Sequence, residues 1–105
     1  MDIDAIRKAA AQAGAMLRTL GNEDRLLLLC RLSQGEMAVS ELAQALDIRQ
    51  PTLSQQLGVL REEGLVSTRR AGKQIYYAVA DAKALALLHT LYQLYCPQPE
   101  NRDDH

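Results

Sequence analysis

The run Asp47-Ile48-Arg49-Gln50-Pro51-Thr52-Leu53-Ser54-Gln55-Gln56-Leu57-Gly58-Val59-Leu60-Arg61-Glu62-Glu63-Gly64 sets the architecture of this chain. Its first four residues read as a turn. Pro51 follows at the first position of a helix, where a missing N–H costs nothing and a fixed φ helps. Leu53, Leu57 and Leu60 step by four and three, which puts them on one buried stripe of a helix over residues 51–63. Gly64 is placed to end it. The faces off the stripe carry Thr52, Ser54, Gln55, Gln56 and Arg61, so most of what this helix offers to solvent is uncharged and hydrogen-bonding.

Upstream, Ser40 reads as the cap of a short helix over residues 41–46, with Leu42 and Leu46 pointing one way. Asn22 caps a leucine-rich helix whose residues Leu26 to Leu29 leave little polar face, so it is expected to be buried. Glu23 and Asp24 suit the positive end of that helix. Before it, Ile6, Ala10, Ala13, Leu17 and Leu20 form one apolar stripe on a helix over residues 4–20. Downstream of Gly64 the period falls to about two. The β-prone runs 65–70 and 73–79, with Ala71-Gly72 between them, read as a hairpin. Asp81 then caps a last helix to about Tyr95, where Leu85, Leu88, Tyr92 and Tyr95 share a face. Pro97 and Pro99 end it. The expected organisation is one domain over residues 1–96 and a disordered polar tail over residues 97–105.

Composition narrows the function. The chain has 105 residues, 48% of them hydrophobic and 24% charged, which is globular rather than disordered. Phe and Trp are absent, so the core is aliphatic. No apolar run is long enough for a membrane span. The first residues are acidic and lack an apolar signal core, so the expected location is the cytoplasm. Net charge is −1. Residues 49–73 are locally basic, with Arg49, Arg61, Arg69, Arg70 and Lys73 against Glu62 and Glu63. There is no Cys-x-x-Cys, no Gly-rich phosphate loop and no cluster of carboxylates, so an enzyme is not expected.

Two short helices across a four-residue turn, followed at once by a basic hairpin, read as a winged helix-turn-helix. An ordinary solvated helix could carry the same polar face. The turn length, Pro51, the hairpin and the charge placement together favour a DNA-reading surface. Gln50, Thr52, Ser54, Gln55 and Gln56 suit base edges in the major groove. Arg69, Arg70 and Lys73 flank the hairpin tip and suit phosphates or the minor groove.

The stretch from Arg49 to Val66, with Arg69-Arg70-Ala71-Gly72-Lys73-Gln74-Ile75-Tyr76-Tyr77, resembles the signature of ArsR/SmtB-type repressors, and Leu20 to Cys30 resembles that family's second helix. The resemblance covers residues 5–96. It implies a mainly α fold in the order α-α-α-α-β-β-α, a homodimer paired through its first and last helices, and an inverted-repeat operator on double-stranded DNA. Metal-binding members place thiols at the start of the third helix, where this chain has Ala38 and Ser40. A second metal class uses carboxylates and imidazoles on the last helix, where only Asp81 and His89 are on offer. No metal or other cofactor is therefore expected.

What remains is Cys30 and Cys96. From the residues alone, two unrelated buried cysteines account for them. The resemblance, closest to the sulfide- and persulfide-responsive repressors of the family, implies instead a dithiol switch. Reduced protein binds the operator, and a disulfide or polysulfide between the two cysteines, formed by reactive sulfur species, releases it. Arg25 and Arg31 near Cys30 suggest it as the first attacker, since a thiolate is favoured beside cations. The competing readings are a metal-responsive or constitutive repressor, and a helical interaction module without DNA binding.

Overall fold

The leucine stripes do assemble into one core. The computed structural model describes residues 2–96. Among them run α1 (Ile3–Leu20), α2 (Glu23–Leu32), β1 (Met37–Ala38), α3 (Val39–Leu46), α4 (Thr52–Glu62), β2 (Val66–Ala71), β3 (Gln74–Val79) and α5 (Ala82–Tyr95). The core joins Leu28, Leu29 and Leu32 of α2 to Leu42 of α3, the Leu53, Leu57 and Leu60 stripe of α4, and Ala84 and Leu88 of α5. Leu26 is only partly buried and Leu27 is exposed, so the four-leucine run of α2 has a wet side after all. The expected tail over residues 97–105 lies outside the described residues.

The caps follow the chemistry of the side chains. Asn22 Oδ1 accepts from Arg25 N at 3.0 Å, and Asp81 Oδ1 accepts from Ala84 N at 2.8 Å. Each satisfies one of the orphan donors of a helix start. Gly64, with φ +76°, closes α4, and Leu65 N donates to Leu60 O at 3.0 Å while Gly64 N donates to Arg61 O at 3.1 Å. That pair of bonds is a Schellman cap, which needs the left-handed residue glycine supplies.

Three local expectations shift. The third helix starts at Val39 rather than after Ser40. Ala38 ends a strand, and the Glu41 carboxylate accepts from Ala38 N at 2.8 Å, so the cap comes from within the helix and Ser40 is a plain exposed residue. Pro51 is the cap residue of α4 and Thr52 its first helical residue. The hairpin loop is Gly72-Lys73, not Ala71-Gly72, because Ala71 pairs with Gln74. Gly72 has φ +63°, as a two-residue loop with glycine first requires.

Sheet order is β1-β3-β2, all antiparallel. The short β1 pairs Met37 with Tyr77 and Ala38 with Tyr76, so the hairpin is fixed to the segment that leads into α3. The fold is a winged helix-turn-helix, with α3 and α4 as the helix pair and β2–β3 as the wing. No helix of the described residues is long and apolar enough to cross a membrane.

Candidate functional site

Burial of the leucine stripe turns the other side of α4 outward. Ser54 and Gln55 are exposed, while Thr52 and Gln56 are half-buried. Gln50 precedes the helix and caps it, because Pro51 has no side-chain acceptor. Gln50 Oε1 accepts from Ser54 N at 3.0 Å. Gln56 is held from the opposite side: its Oε1 accepts from Arg25 Nη1 at 2.9 Å. Of the three glutamines, two thus already have their oxygen engaged inside the fold.

On the wing, Arg69, Arg70 and Lys73 are all exposed. Alternation along β2 and β3 sends Val66, Tyr77 and Val79 toward the core, and Arg69 and Tyr76, which face each other across the ladder, to the other side. There the Arg69 guanidinium lies 4.8 Å from the centre of the Tyr76 ring and forms a forked ion pair with Glu36. The pairing holds the Glu36 carboxyl below the usual carboxylate range and keeps Arg69 charged. The expected phosphate clamp is therefore part of a surface cluster, and Arg69 meets an anion only by sharing or leaving Glu36. Glu36 went unnoticed in the sequence because its partner lies 33 residues away.

The two cysteines lie near the packing of α2 on α5, close enough for the charge of one to act on the other. Cys30 is half-buried on α2, and Cys96 is exposed at the C-terminal cap of α5. No disulfide joins them. Burial pushes the Cys30 thiol up from its ordinary value, and the nearby Cys96 sulfur adds to the shift by charge repulsion. Cys30 also lines a cleft of ≈ 520 Å³ with Ser33, Gln34, Leu85, Leu88, His89 and Tyr92. The expectation that Arg25 activates Cys30 fails on geometry. The Arg25 guanidinium is turned away, onto Thr19 O, Arg18 O and Gln56. Burial thus disfavours the Cys30 thiolate.

His89 lines the cleft, and Asp81 caps α5. Among the described residues no group of three or more His, Cys, Asp or Glu side chains is arranged to hold a metal ion.

Comparison with known proteins agrees with this architecture. Residues 22–68 match the family model described as bacterial regulatory protein, arsR family. The chain is 52% identical over 99 residues to the Biofilm growth-associated repressor of Agrobacterium fabrum (strain C58 / ATCC 33970), an alignment spanning 94% of this chain and 85% of that protein. The crystal structure of the transcriptional repressor BigR from Xylella fastidiosa superposes with a TM-score of 0.85 at 49% identity, covering 93% of this chain and 100% of that one. Reduced HlyU from Vibrio cholerae N16961 superposes with a TM-score of 0.86 at 36% identity, covering 90% and 100%. These similar proteins are transcriptional regulators, not enzymes.

Proposed function

The chain belongs to the ArsR family of bacterial regulatory proteins, and from that premise we propose that it is a homodimeric transcriptional repressor with a dithiol switch. Reduced, the dimer sets its two α4 helices in successive major grooves of an inverted-repeat operator. Gln50, Thr52, Ser54, Gln55 and Gln56 meet the bases, and Arg69, Arg70 and Lys73 meet the phosphates. A cross-link between Cys30 and Cys96, made by reactive sulfur species, releases the DNA. The repressor reading is supported by the similarity to the two repressors above. The release reading is carried by one observation: Cys30 and Cys96, far apart in the chain, are close enough once folded for one sulfur to raise the pKa of the other.

The chemistry balances with a persulfide alone. The exposed Cys96, as its thiolate, attacks the terminal sulfur of R–S–SH. The S–S bond breaks, R–S⁻ leaves and is protonated, and Cys96 becomes a persulfide. Cys30, as its thiolate, then attacks the Cys96 Sγ and expels HS⁻. Two thiols are oxidised to a disulfide while the sulfane sulfur is reduced to sulfide. A second persulfide leaves an extra sulfur in the bridge. A thiol of raised pKa is rarely ionised but a strong nucleophile when it is, which suits Cys30 to the second step. The bridge ties α2, which packs on α4, to α5, and so changes the distance between the two reading helices.

Operator binding by reduced and persulfide-treated protein, alongside Cys30→Ser and Cys96→Ser, tests this. Treatment lowers wild-type affinity about a hundredfold, the effect of some 3 kcal/mol of coupling, and leaves both variants bound. Intact mass then shows loss of two hydrogens, or sulfur addition in multiples of 32 Da on top of it. Equal release of the single-cysteine variants overturns the reading.

A further inference from the structure

Of the three wing cations, Arg69, Arg70 and Lys73, only Arg69 is in an ion pair among the described residues. The sheet builds that pair. β1 lies beside β3 and β3 beside β2, so Glu36, one residue before β1, comes within reach of Arg69 on β2. The Tyr76 ring of β3 lies against the guanidinium. Both partners stay open to solvent, the Arg69 side chain 55% and the Glu36 side chain 40% exposed, so an incoming anion can approach either of them.

The donors of Arg69 are only partly used. Its Nε donates to Glu36 Oε2 at 3.1 Å and its Nη2 to Glu36 Oε1. A guanidinium has five N–H donors, so three are left, two on Nη1 and one on Nη2. Arg69 can therefore meet a phosphate end-on with Glu36 still attached, or it can exchange Glu36 for the phosphate. Both routes have the same charge balance. In the first, the guanidinium arrives already neutralised. In the second, the phosphate sheds a counterion, and the freed carboxylate gathers one. Binding to DNA draws affinity from the counterions it releases, and by either route none is released on balance at Arg69. Nor is Glu36 needed to hold the guanidinium in place. The Tyr76 ring, its centre 4.8 Å away, retains it by cation–π attraction.

We infer that Glu36 is a built-in counter-charge of the wing, an autoinhibitory contact that cancels Arg69 and holds DNA affinity, and its salt dependence, below what three wing cations would give. This rests on the reading of the wing as a phosphate-contacting element. Phosphates carry no sequence information, so the contact limits binding to every duplex equally and leaves base preference to α4.

The test is the salt dependence of DNA binding by the full, reduced chain, on a duplex that wild type selects from a randomised library and on an unrelated one. Wild type is compared with Glu36→Gln, Arg69→Gln and the double variant, each checked for folding by circular dichroism. Glu36→Gln binds both duplexes about threefold to tenfold tighter at low salt, the reach of two exposed ion pairs in a dimer. Its plot of log affinity against log salt steepens by about two, one phosphate for each protomer. Arg69→Gln alone keeps a slope near wild type, and added to Glu36→Gln it removes the whole increment. Glu36→Ala, which also removes the charge, repeats the Glu36→Gln result and carries the test should that variant fail to fold. Weaker binding by Glu36→Gln at unchanged slope makes the pair a structural tie between wing and β1 and overturns the inference. So does a steepening that persists without Arg69. Failure of the underlying reading looks different: if the wing touches no phosphate, all four proteins share one affinity and one slope.

Discussion

Cys30 and Arg69 show how far a residue's chemistry is set by neighbours that sequence spacing does not reveal. Flanking arginines suggested an activated Cys30, but one of the two, Arg25, has its guanidinium on α1 and α4. Burial is the larger cause that raises the Cys30 thiol above its ordinary value. The expected outcome is slow alkylation of Cys30 at neutral pH. In Cys96→Ser its labelling rate with iodoacetamide rises with pH to an inflection above 9.0, its ordinary value. In the wild type the inflection lies higher still, because an ionised Cys96 opposes a second negative charge. An inflection below 9.0 would restore Cys30 as the activated thiol. Gln50, Gln56 and Arg69 were all legible as exposed-face polar residues. Their partners Ser54 N, Arg25 and Glu36 were not, because two of those three bonds span more than thirty residues.

At the scale of elements, strong periodicity was readable and short structure was not. The stripes of α1, α4 and α5 repeat often enough to identify helices, while Asn22 marks the start of α2, Gly64 the end of α4 and Asp81 the start of α5. The strand β1 has two residues, Met37 and Ala38, too few for alternation to show. Missing it also displaced the start of α3, since the residue before the helix is spoken for by the sheet. The hairpin loop slipped by one because Ala71, Gly72 and Lys73 all tolerate a turn, and only the pairing of Ala71 with Gln74 decides. The α4 stripe is where the element meets the core most completely. Leu60 is fully buried. Leu60→Ala therefore costs about 2–5 kcal/mol, lost methylenes plus a cavity. Urea unfolding reads this as a lower midpoint with an unchanged slope. Since such a domain has roughly 5–15 kcal/mol in all, the variant is partly unfolded near its reduced melting temperature.

The whole molecule leaves two helices underused. On α1, Ile3 is 62% exposed and Leu17 59%; on α5, Leu94 is 70% exposed and Tyr95 80%. Leu17 and Tyr95 belong to the two stripes read from the sequence, whose Leu20 and Leu88 are buried in the core, while Ile3 and Leu94 lie beside those stripes. In the proposed homodimer, two copies pairing through these helices bury this apolar surface. Light scattering on the reduced protein is expected to give twice the chain mass, and Leu94→Glu to give the single mass with weakened operator binding. A wild-type monomer at micromolar concentration contradicts the paired arrangement.

The placement of the two thiols has a topological result. One lies on α2 and the other just past α5, so α3, α4 and the entire wing fall between them in the chain. A bond joining the sulfurs encloses the whole reading apparatus in a covalent ring of some 65 residues, which by chain entropy alone favours the folded form by about 4 kcal/mol. In the proposed switch the form released from DNA is then the sturdier of the two, and return to the operator depends on a reductant reaching the bond rather than on refolding.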